Sequence, residues 1–158
     1  DIVADREAWS VFLYFAMVLT LADGLNRTGF IAWFADRAAA PLQGTDPRWA
    51  TAALLALFFW SHYLFASITS HALAVLPVVL AVAHGMPGVN GPLLAMLCIY
   101  SLGLMGVISP YATGPAPVWY SAGYIRGKEF WWLGFMTGVL YLGTLLAVGL
   151  PYALRFPR

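Results

Sequence analysis

The sequence predicts an all-α membrane protein, a helical fragment that carries a re-entrant hairpin and a discontinuous helix. Three observations predict it. Of the 158 residues, 61% are hydrophobic and 9% charged, where a soluble domain carries about a quarter charged residues. A chain this apolar lacks the polar groups to cover a water-facing surface. No Asp, Glu, Lys or Arg occurs from Trp49 to Ile125. Inside that uncharged run lie two polar interruptions, SITS at Ser67–Ser70 and PYATGP at Pro110–Pro115.

Composition also excludes classes. A net charge of +1 leaves no basic patch to meet phosphates, so nucleic acid is not a partner. The single cysteine, Cys98, permits neither an internal disulfide nor a cysteine metal cluster. Residues 1–7, DIVADRE, read as the middle of a loop, which points to a piece of a longer membrane protein whose remainder contributes to function.

The elements follow in order. Residues 1–47 hold a membrane helix and an interfacial arm. Trp9 to Leu21 is apolar and extends toward Leu25, marginal against the roughly 20 residues a span needs; Asp23 near its end reads as an ordinary helix-end acid. Thr28 to Ala40 is too short to span, and its cluster of Phe30, Ile31, Trp33 and Phe34 before Asp36 and Arg37 suits a helix lying in the interface. Pro41 to Arg48 is a turn-rich loop. Residues 48–85 form the hairpin: a helix from Trp49 to Ala66, a tip at 67–70, and a second helix to His84 with Pro77 inside it. The tip has no Gly, Pro, Asn or Asp, unlike a turn in water. Its hydroxyls suit a turn buried in protein, where they satisfy broken helix ends.

Gly85 to Gly91 is a loop. Residues 92–127 form the discontinuous helix, apolar from Pro92 to Ser109, broken at 110–115, and resumed from Val118 to Ile125. Thr113 is a candidate cap, with Pro115 near the new start. Residues 128–158 form the C-terminal membrane helix, strongest from Phe130 to Tyr152, where Gly134 and Gly138 make a small-xxx-small contact face. Arg126 and Lys128 place their turn on the cytoplasmic side, while Arg155 and Arg158 pull the other way, so orientation is weakly set.

The two interruptions carry the chemistry. Helix N-termini expose unpaired N–H groups and a partial positive charge that favour an anion. Ser67, Thr69, Ser70 and Thr113 add hydroxyl donors. With no Lys or Arg between Trp49 and Ile125, an anion is held there by dipoles rather than by full countercharge, which suits a site that must release its guest. Transporters place substrate at such breaks; the alternative is a pair of kinks whose hydroxyls bond back to the helix. His71 beside the tip is a candidate contact for substrate or proton, ahead of His62; His84 is a loop-end residue. Tyr111, Trp119, Tyr120 and Trp131 read as packing or interface residues. A serine nucleophile at Ser67 or Ser70 paired with His62 or His71 lacks an acid to orient the base, so an enzyme is not expected.

FASITSHALAVLPVVLAV, from Phe65, and GVISPYATGPAPVWYSAGYIRGKEFWWLGF, from Gly106, resemble the C-terminal half of the divalent anion/sodium symporter family, nearest its citrate/succinate and tartrate/succinate antiporters and the plastid 2-oxoglutarate/malate translocator. The resemblance implies two inverted repeats, each with a re-entrant hairpin and a broken helix, of which this chain is much of the second. It also implies a homodimer, an elevator motion, and Thr28 to Ala40 as an arm between moving and fixed domains. The family's Ser-Asn-Thr tip maps onto Ser67, Ile68 and Thr69, and its broken-helix threonine onto Thr113. Ile68 stands where sodium-coupled members carry asparagine, a departure that fits an exchanger. Sodium, were it coupled, would lie at the backbone near Ser67, Ile68 and Ala112; no other cofactor or metal is implied.

The expectation is therefore exchange of di- or tricarboxylate anions such as citrate, succinate, malate or 2-oxoglutarate across a bacterial inner (plasma) membrane. The substrate-binding set is Ser67, Ile68, Thr69, Ser70, His71, Ala112, Thr113, Gly114 and Pro115. The alternatives are a sodium-coupled symporter and, in another class, a non-transporting membrane subunit.

Overall fold

The computed structural model describes residues 27–42 and 44–155, together with nine positions from Trp9 to Gly24. Every regular element among the described residues is helical. Each described position from Trp9 to Arg27 is helical; the rest of the expected first span lies outside the described residues. Asp23 pairs with Arg27 one turn on, at 2.8 Å and well exposed, a solvent-screened pair that contributes little.

Helix α1 spans Phe30–Ala39. It starts after Gly29, whose φ of 74° is the left-handed conformation glycine adopts without a Cβ clash. A short 3₁₀ turn, Ala40–Leu42, follows. Helix α2 spans Pro47–Ser61, with Pro47 in the first turn and the Asp46 carboxylate accepting from the Arg48 N–H at 2.8 Å. Both are standard helix-start devices, and they begin the helix two residues before the expected Trp49. Its far end also departs from expectation. Instead of running to Ala66, α2 tightens into a 3₁₀ turn, His62–Leu64, and Phe65 is extended.

Helix α3 spans Ile68–His84. The turn therefore falls at Phe65–Ser67, and Ile68, Thr69 and Ser70 are already helical, not the loop tip expected at 67–70. The reason is the cap: Ser67 sits in an extended conformation and its hydroxyl accepts from the Ser70 N–H at 3.4 Å, so one serine closes the helix start and the other two hydroxyl residues ride on the first turn. The added residues make α3 seventeen long, about 25 Å at 1.5 Å per residue. Helices α2 and α3 run antiparallel: Ser61 and His71 meet at the turn, while a Cβ on Gly88, just past α3, would meet Pro47 at the start of α2.

Helix α4 spans Gly91–Leu104, capped by the Asn90 side chain on the Leu93 N–H at 3.0 Å. It becomes a 3₁₀ turn at Met105–Val107, so the expected run to Ser109 ends five residues early. Gly103 and Gly106 both weaken helix here, and the chain needs Gly106 free of a side chain, as shown below. Bends and turns carry residues 108–115, and α5, Ala116–Ser121, is only six residues. Its N-cap is Pro115, without a side-chain cap. Thr113 contributes its carbonyl, which accepts from the Ala116 N–H at 3.2 Å, rather than capping through its hydroxyl as expected.

Helix α6, Gly127–Thr144, begins with Glu129 reaching back to the Arg126 N–H at 3.3 Å. It passes through a π-helical turn, Leu145–Gly149, into α7, Leu150–Leu154. Among the described residues, Gly127–Tyr152 is the one helical stretch long and apolar enough to cross a membrane.

The core lies where α2, α3 and α4 face each other. Ala50, Leu54, Leu55, Phe58 and Phe59 of α2 pack with Val79, Val82 and Ala83 of α3 and with Leu94, Leu97 and Cys98 of α4. α1 packs on α3, and α6 on α4 and the 3₁₀ turn after it. Gly134 and Gly138 form the expected contact face: both are buried, and the Ile108 backbone and the Trp60 ring lie against them. α1 turns Phe30, Trp33 and Phe34 outward, 43–55% exposed, with Arg37 over the Trp33 ring.

Candidate functional site

The site is built where the hairpin turn meets the break in the second helix. Gly106 is the meeting point. A Cβ placed on it would lie 2.7 Å from the Thr113 methyl and 3.5 Å from Ile68 Cδ1. The absent side chain lets the first turn of α3 and the broken segment settle on the same spot. Sequence reasoning passed over Gly106; the signal was a glycine pair, Gly103 and Gly106, at the tail of an apolar helix.

Two hydrogen bonds cross-clasp the turn and the break. His62 Nε2 lies 3.0 Å from the Ala112 carbonyl, and because a carbonyl only accepts, Nε2 carries the hydrogen. The Tyr111 hydroxyl donates to the Tyr63 carbonyl at 2.8 Å. Adjacent residues of the 3₁₀ turn are thus tied to adjacent residues of the break, one by side chain and one by backbone, in opposite senses. An aromatic wall backs the clasp. Trp60 stacks parallel on Tyr63 at 5.8 Å, Tyr63 on Trp131 at 5.8 Å, and Tyr111 meets the edge of Trp131 at 5.8 Å. Tyr111 and Trp131 therefore pack, as the sequence suggested, and Tyr111 also donates a hydrogen bond that the sequence did not foretell.

The expected site residues divide into two groups. Ser67 is partly buried and caps α3; Thr69 is exposed on its first turn; Ser70 and Ile68 are partly buried. Ser67 occupies the Ser70 N–H with its hydroxyl and the His71 N–H with its carbonyl, at 3.0 Å. That leaves the N–H groups of Ile68 and Thr69 as the ones without an intrahelical acceptor. Thr113 is partly buried, and Gly114 and Pro115 are exposed.

His71 and Ala112 belong to the second group. Both are 0% exposed, so the expectation of His71 as a contact for substrate is corrected: it lies behind the turn. It packs on Phe58 at 4.5 Å, on His62 at 5.0 Å and on Phe65 at 5.0 Å. Its Nε2 is 3.0 Å from Ser61 Oγ, and Ser61 donates its own hydrogen to the Phe58 carbonyl at 2.9 Å, so Nε2 donates here too. The Ala112 carbonyl is taken by His62, and the Ala112 N–H donates to the Ser109 carbonyl at 3.2 Å. The physical reason for the correction is helical rotation. Positions 68 and 71 are one turn apart, but the α2 contact that buries His71 depends on how α3 is turned against it, which no spacing in one helix specifies.

Among the described residues the candidate site presents one helix N-terminus, two hydroxyls of its first turn, and a threonine on irregular backbone that meets Gly106 as Ile68 does, with no cationic side chain. Chemically this is a donor-rich, uncharged cradle. The short α5 adds little dipole of its own, so the expectation of two contributing N-termini reduces to one.

The sequence model of the family described as the sodium:sulfate symporter transmembrane region matches residues 1–154. The chain belongs to that family. It is accordingly an integral membrane protein. Among curated relatives, the citrate/succinate antiporter of Escherichia coli strain K12 is 42% identical over 151 residues, covering 96% of this chain and 31% of the relative. The L-tartrate/succinate antiporter of the same strain is 39% identical over 150 residues, covering 95% of this chain and 31% of the relative. The chain therefore spans about a third of the length of the curated relatives it matches. The resemblance drawn from FASITSHALA and SPYATGP holds, and so does its looser extension over the part before Phe65.

Proposed function

We propose that the full-length protein exchanges di- or tricarboxylate anions across a bacterial inner membrane, and that Ser67, Thr69 and Thr113 meet a substrate carboxylate. The observation that carries the reading is the contact of α3's first turn and the broken segment over Gly106, in a transmembrane family whose relatives include proteins named as antiporters of citrate, tartrate and succinate. Amide N–H groups of Ile68 and Thr69 and the hydroxyls of Ser67, Thr69, Ser70 and Thr113 donate; the Gly114–Pro115 backbone borders the guest. Donors without net charge bind an anion strongly enough to select it and weakly enough to let it go. A second set of donors comes from the rest of the protein.

In this reading α2 and α3 form a re-entrant hairpin whose turn lies within the bilayer, its broken backbone buried in protein as lipid requires. The outward aromatic face of α1 lies in the interface, as an arm between a moving and a fixed domain of an elevator-type homodimer. The family's description as sodium-coupled favours a second reading, sodium symport. Ile68 argues against it, because an aliphatic side chain stands where coupled members have an amide that ligates.

Counterflow in proteoliposomes with the full-length protein separates the two. Exchange of labelled succinate against internal succinate or citrate is expected to persist without sodium. Uptake that requires sodium and needs no internal substrate supports symport. If neither occurs and no carboxylate shifts the melting temperature of the purified protein, the chain is part of a non-transporting subunit.

A further inference from the structure

His62 makes a side-chain hydrogen bond that runs from the hairpin turn to the backbone of the break. It is fully buried, carried on the 3₁₀ turn that follows α2, and its acceptor is the residue immediately before Thr113. We propose that His62, with Tyr111, is a positioning clasp that holds Thr113 at a fixed reach from the α3 N-terminus, so that the two halves of the site form one rigid unit. The inference rests on the proposed carboxylate site and says how its geometry is kept.

Residues 108–115 lie outside any α-helix, so their backbone has no ladder of its own to fix it. Two side-chain-to-backbone bonds of sequence separation 50 and 48 hold it instead. The His62 bond is buried and the Tyr111 bond part-buried, beside the Trp60, Tyr63 and Trp131 stack, and removal from water strengthens such a bond and makes its loss expensive. Finally, His62 uses only one of its two nitrogens: among the described residues Nδ1 is buried without a hydrogen-bond partner. A glutamine places an amide N–H at the reach of Nε2, and its Oε1 takes the place of Nδ1 as an acceptor without a partner. An asparagine falls one bond short of the Ala112 carbonyl.

The test compares His62→Gln, His62→Asn and Tyr111→Phe in the full-length protein, using succinate counterflow and amide hydrogen exchange of the peptide covering residues 108–116. His62→Asn is expected to raise the KM for succinate about tenfold with maximal exchange rate held within about twofold, matching the loss of one shielded hydrogen bond. It is also expected to speed exchange of the 108–116 amides about tenfold. His62→Gln is expected to stay within about twofold of the parent on both readouts. Tyr111→Phe, which keeps the ring on Trp131 and removes only the hydroxyl, decides the matter if His62→Asn does not fold; it too is expected to raise KM and loosen the peptide. Unchanged amide exchange in both Asn and Phe variants overturns the clasp whatever the protein transports. A parent protein that exchanges no carboxylate, with amide exchange still loosened by the variants, overturns the transport reading and leaves the clasp standing.

Discussion

Gly134→Ala is expected to destabilise the protein more than any other single methyl added to the last helix. A Cβ at Gly134 lies 2.5 Å from the Ile108 carbonyl oxygen, 2.9 Å from its carbon and 3.1 Å from the Val107 oxygen. All three are backbone atoms, so no rotamer can yield. Either α6 moves off the break or residues 107–108 shift, and Ala112 and Thr113 shift with them. Overpacking of this kind costs roughly 1–3 kcal/mol, and with backbone as the obstacle the upper end is expected. Gly138→Ala is the internal control. Its Cβ meets Ile108 Cγ2 and the Trp60 ring at 3.1–3.2 Å, side-chain atoms that can give by a few tenths of an ångström. Melting temperature in detergent checks the pair: a clear fall for Gly134→Ala and a smaller one for Gly138→Ala. Equal and negligible shifts would mean that α6 does not dock on the break through this face.

The second large effect is on binding. Thr113 carries two functions that substitution can separate, since its methyl sits on Gly106 and its hydroxyl is free to serve the site. Thr113→Val keeps the packing and removes the donor; Thr113→Ser does the reverse. A hydrogen bond to a charged group is worth about 1.5–3 kcal/mol, roughly a ten- to hundredfold change in Kd. Thr113→Val is expected to weaken succinate binding by that factor with an unchanged melting temperature, and Thr113→Ser to bind within a few-fold of the parent. Thr69→Ala is expected to follow Thr113→Val. Thr69 is exposed, so its truncation touches no packing and stability is expected to move by less than about 0.5 kcal/mol. Calorimetric titration of succinate into the full-length variants checks all three. A Thr113→Val protein that binds like the parent makes the hydroxyl irrelevant.

What the sequence reveals here is local. The uncharged run, the hydroxyl cluster before α3 and the proline-rich PYATGP segment each announce a break, because caps and prolines act on their own few residues. Gly134 and Gly138 were legible for the same reason: four-residue spacing on one helix defines a face. The exact turn was not, since Ser67, Thr69 and Ser70 are equivalent as caps until packing selects Ser67. The premature end of α4 was hidden because Gly106 serves a contact with residues seven positions later. Nearness to the turn favoured His71 over His62, yet both are fully buried: His71 packs on Phe58 and His62 bonds to the break. Contacts of sequence separation near 50 lie beyond what periodicity reports.

The central claim is that the hydroxyl-bearing start of α3 and Thr113 share one anion. A structure of the full-length transporter with succinate bound tests it most directly. The account predicts a carboxylate within hydrogen-bond distance of the α3 first turn and of Thr113 Oγ1 together. A carboxylate seated elsewhere, or α3 and Thr113 separated by intervening protein in the bound state, contradicts it.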